Sequence, residues 1–566
     1  MISLELDERD NNYLLLRCKF QDKEKAKSVN DATWDKERKA WRFPATFAKV
    51  KALKQVFPEI LVSKQANDVV EKNRLTNETA IKIKQLSDCD IVLPKLKTKL
   101  FNYQKVGVMF MLCRNEAGNF SELGTGKTLQ TLATIISRKE NVEIKKCLVV
   151  TPASLKYNWR NEIEKHTYEK SVIVDGSKKK RMEQYQEFKD ANDILFLVIN
   201  YELLRADIDL VSKYLILDAI VLDESIKIKN SEALQTKAVK KLSKLKYKYI
   251  LSGYPIANNL EDIHSQIDFL KPGHMGSWWS FEDNYIIRGY FKNIEGYRNI
   301  EHLKKRLDPL YIRFLKKDVL DLPEKIYEKR EVTLEKDQMM AYNQMRDEMI
   351  VYVEKLNEKE IISQTRDILV KLIRLSQITS GFISDEKFES MHNFESNAKL
   401  PVLEDIVDEV VKNDKPIVIW CRFLNTVKLI ADKLSKKYNV AVITGSTPTK
   451  ERQEIVDNFQ DGKIQVFIGQ ILACGMGLNL FKADCEVFFE KAFLSPSSVI
   501  QAEERIHRIG QKNNVTIISL LAKNTLDERW EKMLLKKREI SEQILDDKKV
   551  VLDKQIIMDF LKGEDD

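Results

Sequence analysis

Eight consecutive residues, Ser121-Glu122-Leu123-Gly124-Thr125-Gly126-Lys127-Thr128, carry the groups needed to handle a chain of phosphates. Gly124 and Gly126 allow a tight turn around Thr125 that aims backbone N–H groups at an anion. Lys127 can reach the β- and γ-oxygens of a nucleoside triphosphate, and the Thr128 hydroxyl can ligate Mg²⁺. Leu129 to Ser137 continues with apolar residues at helical spacing, so the loop opens a helix whose free N–H groups and dipole favour an anion. Ser121 stands where the strict G-x-x-x-x-G-K-T pattern has glycine. An acidic pair, Asp223-Glu224, ends the apolar run Ala219 to Leu222. Asp223 can hold the Mg²⁺ that neutralises the β/γ charge, and Glu224 can orient and deprotonate an attacking water.

These groups need a frame that brings them together. Cys147 to Pro152, Leu195 to Asn200, Ala219 to Leu222 and Tyr249 to Gly253 are short apolar runs separated by helical stretches. That alternation predicts a buried parallel sheet with helical crossovers, and ligands bind such sheets outside the carboxyl ends of the strands. A second alternating region follows, with strands predicted at 417–421, 440–445, 466–469, 486–489 and 516–521. It has no phosphate loop of its own. It does carry a glycine turn at Ala473 to Leu480, with Gly477 and Asn479, and then the string Gln501 to Gln511. Arg505 and Arg508, three apart, are expected on one face of a helix, where planar guanidinium groups can clamp a γ-phosphate. As a bare pattern, the same two arginines fit a solvated helix face.

At 566 residues the chain exceeds one hydrophobic core and predicts about three or four domains. We divide it into a small α+β module at 1–65, a linker or helical connector at 66–95, a first lobe at 96–272, helical protrusions and a connector at 273–395, a second lobe at 396–530 and a helical tail at 531–566. No apolar run approaches the ~18 residues of a membrane span, and the acidic MISLELDERD start lacks a signal-peptide core, so a cytoplasmic or nucleoid-associated protein is expected. Seven cysteines at 18, 89, 113, 147, 421, 474 and 485 form no C-x-x-C pair, so neither a disulfide framework nor a zinc site is expected. The net charge of +8, from 94 basic and 86 acidic residues, permits a polyanion partner without requiring one. In the first module, Trp34 to Pro44 interleaves aromatic and basic residues. The two tryptophans can simply fill a small core, or Lys36, Arg38, Lys39 and Arg42 can form a salt-sensitive nucleic-acid contact surface.

Several strings resemble Swi/Snf-type DNA translocases, a branch of the superfamily-two helicases, over about 96 to 530. They are Lys99 to Gln104, LVVTPASLKYNWRNEI at 148–163, VLDESIKIKN at 221–230, LSGYPIANNL at 251–260, Arg313 to Lys317, Leu322 to Lys325, Leu372 to Ile378, QAEERIHRIGQ at 501–511 and Asn524 to Glu528. The resemblance implies an α/β fold of two RecA-like lobes with helical insertions, using ATP and Mg²⁺ and moving on double-stranded DNA. It implies that Gln104 hydrogen-bonds adenine, that Gly477 serves the nucleotide and Asn479 the nucleic-acid backbone, and that Arg505 and Arg508 are finger arginines. Arg313 is then a linker arginine reaching toward nucleotide or a structural salt-bridge residue, and His507 a structural or coupling residue. The Trp34 to Pro44 stretch resembles the HARP module, which implies branched-DNA remodelling and strand annealing. Three positions depart from the family: Ile226 replaces histidine, Tyr254 replaces threonine and Phe314 replaces the second of two arginines. A monomer is expected. A strand-separating DNA or RNA helicase, or a DNA-binding scaffold with a weakly coupled ATPase, are the alternative readings.

Overall fold

The computed structural model describes residues 2–543 apart from 257–259, 290–293, 357–363, 385–390, 475–477, 493 and 495. The chain divides into two compact units, Met1–Val319 and Leu320–Asp566. Among the described residues, no helix is long and apolar enough to cross a membrane.

The first unit is built on a seven-stranded sheet, parallel throughout, in the order Tyr311–Ile312, Glu116–Asn119, Tyr247–Leu251, Ala219–Asp223, Cys147–Thr151, Ile194–Asn200, Lys170–Ile173. Most of its inner strands read as apolar runs, and Ile194–Asn200 is buried along its whole length, whereas Glu116–Asn119, which leads into the phosphate loop, reads EAGN and was not predicted as a strand. The strand entering the phosphate loop lies one strand away from the strand carrying the acidic pair. Leu251, between them, pairs with Asn119 on one side and Asp223 on the other. Two strand spacings of about 4.8 Å therefore separate the loop's root from Asp223.

A five-stranded sheet, Thr33–Asp35, Ala40–Pro44, Tyr13–Arg17, Ser3–Leu6 and Leu61–Val62, forms the N-terminal module. Leu4, Leu14, Leu16, Trp41, Phe43 and Leu53 make its core. The Phe47–Val56 helix is capped by Thr46, whose hydroxyl accepts from Lys49 N at 3.3 Å. A 21-residue helix, Lys64–Lys84, continues from it. The module packs on the segment after the large sheet: Ser280 Oγ donates to Asp31 Oδ1 at 2.6 Å. Glycine is required at 273, where φ is +73° and a Cβ would lie 2.1 Å from the Tyr13 hydroxyl.

The second unit holds a six-stranded parallel sheet in the order Lys325–Val332, Val515–Ala522, Cys485–Phe488, Ile417–Cys421, Val466–Gln470, Val440–Ile443. Its first strand falls in the span expected to be mostly helical. KIYEKREV carries no apolar run because it is a sheet edge with only Val332 buried, and charged edges deter unwanted pairing. Helices Lys336–Lys355 and Thr365–Thr379 follow it.

Glu486 lies fully buried in this sheet. Its Oε2 accepts from Trp420 Nε1 at 2.7 Å, and Oε1 has no hydrogen-bond partner. Burial pushes the carboxyl up to about 8, with the nearby Glu503 adding to the shift and the Trp420 indole opposing it. The folded-state value lies above the roughly 4.3 of an unfolded chain, so this group's stabilising contribution is complete at acid pH and is lost as pH rises to about 8. Thermal unfolding followed from pH 5.5 to 7.5 should show this unit losing up to about 1.4 kcal/mol per pH unit, and Glu486→Gln should flatten the slope.

Candidate nucleotide site

The phosphate loop runs from the Glu116–Asn119 strand to the Lys127–Glu140 helix. Gly124 and Gly126 have φ of +82° and +80°, which glycine adopts without strain. A Cβ at Gly126 would also lie 2.3 Å from Gln104 Nε2, so that position is closed to any side chain. The Thr125 carbonyl accepts from Tyr103 OH, Gln104 Nε2 and Gln130 Nε2 at 3.0, 3.2 and 3.2 Å. Gln104 is thereby fixed against the loop, its Oε1 accepting from Phe101 N at 3.0 Å. Lys127 Nζ donates to Ser121 O at 2.8 Å and Glu122 O at 3.1 Å, within the cradle it would share with phosphate. Thr128 occupies the first turn of the helix.

The residue that replaces the pattern's first glycine has a visible task. Ser121 Oγ donates to Asn119 Oδ1 at 2.7 Å and accepts from Phe314 N at 3.1 Å. Glu122 adds two further bonds to the same segment: its N–H donates to Phe314 O at 3.0 Å, and its Oε2 accepts from Lys316 N at 2.7 Å. Phe314, one of the three family departures, packs edge-on against Tyr103 with ring centroids 5.3 Å apart. The neighbouring Arg313 makes no ion pair among the described residues. Its Nη1 is buried without a hydrogen-bond partner, beside an open cavity of about 880 Å³ that Phe101 and Tyr103 also line.

At the carboxyl end of its strand, Asp223 is held on both oxygens. Oδ2 accepts from Trp159 Nε1 at 2.7 Å and Thr151 Oγ1 at 3.1 Å, and Oδ1 accepts from Glu224 N at 3.0 Å. Tyr201 OH donates to the Asp223 carbonyl at 2.8 Å. Burial pushes the Asp223 carboxyl up, against the Trp159 indole, the Lys127 ammonium and the Thr151 hydroxyl. The Asp223 carboxylate, which burial disfavours in its charged form, and the Thr128 hydroxyl in the first turn after the loop are hard oxygen donors of the kind that suit Mg²⁺. Glu224 has φ +50° and ψ +57°, a left-handed conformation that a non-glycine residue adopts only when its surroundings impose it. Thr151, Trp159 and Tyr201 escaped the sequence reading as functional residues. The LVVTPASLKYNWRNEI string contained two of them, but nothing in its spacing pointed at Asp223.

In the second unit the helical expectation for the arginines needs correction. The helix Pro496–Glu503 ends before them, and turns follow from residue 504 to 510. The Gln511 side chain takes the Ile506, Phe481 and Ala483 carbonyls, and the Arg505 carbonyl accepts from Leu480 N, so the helical ladder is not continued. Arg505 is buried, whereas Arg508 Nη1 donates to Leu478 O at 2.9 Å and Asn479 Oδ1 at 3.1 Å. Asn479 is thus already engaged by Arg508, and Gly477 lies outside the described residues. The turn is anchored to the start of the unit: His507 Nε2 bonds Pro323 O at 2.8 Å, and Lys325 Nζ reaches Glu504 Oε1 at 2.8 Å and Glu503 Oε2 at 3.3 Å.

The N-terminal basic residues divide. Arg38 and Arg42 both pair with the buried Asp7, and Arg42 also pairs with Asp10 and stacks over Tyr13 at 3.5 Å. They are engaged inside the module and do not form the open cationic surface expected of them, because the chain returns the acidic Asp7 to Asp10 turn beneath them. Lys36 and Lys39 are exposed. Trp41 is buried, while Trp34, 5.2 Å away edge-on, is 46% exposed.

Residues 103–382 match the SNF2-related domain and residues 398–510 the helicase conserved C-terminal domain. An uncharacterised ATP-dependent helicase of Mycoplasma genitalium is 29% identical over 485 residues, 84% of this chain and 45% of its own length. The DNA annealing helicase and endonuclease ZRANB3 of Bos taurus is 28% identical, over 84% of this chain and 43% of its own. The chain therefore spans less than half the length of these two relatives. The SWI2/SNF2 ATPase core of Sulfolobus solfataricus in complex with dsDNA is 26% identical with a TM-score of 0.40, over 83% of this chain and 96% of its own.

Proposed function

We propose that this chain, which belongs to the Snf2 family of superfamily-two helicase-like ATPases, hydrolyses ATP and uses the energy to translocate on double-stranded DNA. The observation that carries the hydrolytic part is the pairing of Asp223, locked by Trp159 and Thr151, with Glu224 next to it, one strand from the phosphate loop. Asp223 and Thr128 would hold Mg²⁺, which when bound neutralises charge on the β- and γ-phosphates. Lys127 and the N–H groups of Gly124 to Thr128 bind the phosphates. Gln104 and the cavity beside Phe101 and Arg313 receive the base. Glu224 takes the proton of the attacking water, and Arg505 stabilises the charge that builds on the γ-phosphate.

The DNA assignment is supported by family membership and by relatives named as DNA-acting helicases. A preference for branched DNA is supported by the HARP-like Trp34 to Pro44 stretch, now reduced to the exposed Trp34, Lys36 and Lys39. The test is ATP turnover measured with linear duplex, forked duplex, single-stranded DNA and single-stranded RNA, with Lys127→Ala as control. Duplex DNA should raise turnover at least tenfold and forked duplex more, whereas stronger stimulation by a single strand would favour a strand-separating helicase and overturn the reading.

A further inference from the structure

Ile226 has no polar atom, so it cannot make a hydrogen bond that a histidine at this position could make. Another connection occupies the same neighbourhood. Ser225, which directly follows Glu224, donates from Oγ to Gln266 Oε1 at 2.6 Å. Gln266 Nε2 donates to the Pro255 carbonyl at 2.5 Å and to the Asp262 carbonyl at 2.8 Å. Both side chains are fully buried. The orientation of the amide follows from its partners, since turning it over would set its oxygen against two carbonyl oxygens. The segment that receives this bond also touches the phosphate loop: a Cβ at Gly253 would lie 3.0 Å from Leu123 Cγ. The Ser252 to Ile256 segment thus rests on the loop at Gly253 and is tied at Pro255, through one amide, to the residue beside the proposed base.

We propose that Gln266 is the positioning residue that couples the acidic pair to the Ser252 to Ile256 segment, in the role that histidine and threonine have lost to Ile226 and Tyr254. A buried, fully hydrogen-bonded amide suits this role because it is short and rigid, so a shift of Glu224 and Ser225 displaces Pro255 rather than dissipating in side-chain motion. Aspartate or glutamate here would repel the two carbonyls, and an apolar residue would leave them and the Ser225 hydroxyl unlinked. The inference rests on the reading that this chain is an ATPase whose turnover responds to DNA.

The experiment compares wild type, Gln266→Leu, which keeps the volume and removes all three bonds, and Ser225→Ala, which removes one. Amide hydrogen exchange is followed with and without a non-hydrolysable ATP analogue, alongside KM for ATP and the factor by which duplex DNA raises kcat. In wild type the analogue should slow exchange across both 121–128 and 252–256. In Gln266→Leu it should protect 121–128 and no longer 252–256, with KM within twofold and the DNA stimulation factor reduced about fivefold or more; Ser225→Ala should fall between. Equal protection of 252–256 in Gln266→Leu would overturn the proposal. So would a proportional loss of basal and stimulated turnover with a lowered unfolding midpoint, which marks a purely structural residue. Absence of DNA stimulation in wild type would sink the functional reading instead, and the exchange arm would still decide the coupling.

Discussion

Glu224→Gln should lower the ATP turnover number by about 10²–10⁴-fold, the usual contribution of a general base, while leaving nucleotide affinity within about threefold. The substitution keeps the length of the side chain and an acceptor oxygen, so it isolates loss of basicity from loss of shape. Backbone geometry makes the comparison clean: Glu224 sits at φ +50°, and glutamine tolerates that conformation no worse than glutamate. Asp223 keeps its bonds from Trp159, Thr151 and the Glu224 amide, none of which uses the altered carboxyl. Steady-state turnover with duplex DNA and equilibrium binding of a fluorescent nucleotide measure the two quantities. Turnover within threefold of wild type would remove Glu224 from the role of base.

Arg505→Lys should lower turnover about 10³-fold, within the 10³–10⁵ range of finger arginines, although it preserves the positive charge. A lysine is a point charge without the planar fork that engages two phosphate oxygens at once. Lysine is the better variant because Arg505 is buried, and truncation to alanine would add a cavity to the chemistry. Arg508→Lys is the internal comparison. Its guanidinium already donates to Leu478 O and Asn479 Oδ1, so its replacement should cost about tenfold or less. Equal losses for the two variants would show that neither arginine is distinguished by the reaction and that both hold the turn.

Much of the candidate nucleotide site is written in short contiguous strings. A glycine-rich loop before an amphipathic helix, and an acidic pair at the end of an apolar strand, each specify a local geometry with few alternatives, and the parallel-sheet pattern places both at one edge. Most inner strands of both sheets were legible for the same reason, being buried on two faces and apolar, but the inner strand Glu116–Asn119, EAGN, carries no apolar run and was not. The Lys325–Val332 strand was not, since an exposed edge needs no apolar pattern.

The tertiary structure alone decided which polar side chains are available. Arg38 and Arg42 look like phosphate ligands in the sequence, but both pair with Asp7, some thirty residues earlier, and Arg42 also with Asp10. Arg505 and Arg508 look helical in the sequence, but the Arg505 carbonyl is taken by Leu480 N and the Ile506 carbonyl by the Gln511 amide. Trp159 and Thr151 become partners of Asp223, and Gln266 joins Ser225 to Pro255, only when distant segments meet. Local spacing encodes periodicity and turn chemistry. The satisfaction of buried hydrogen bonds and charges is a non-local condition, settled when the chain closes on itself.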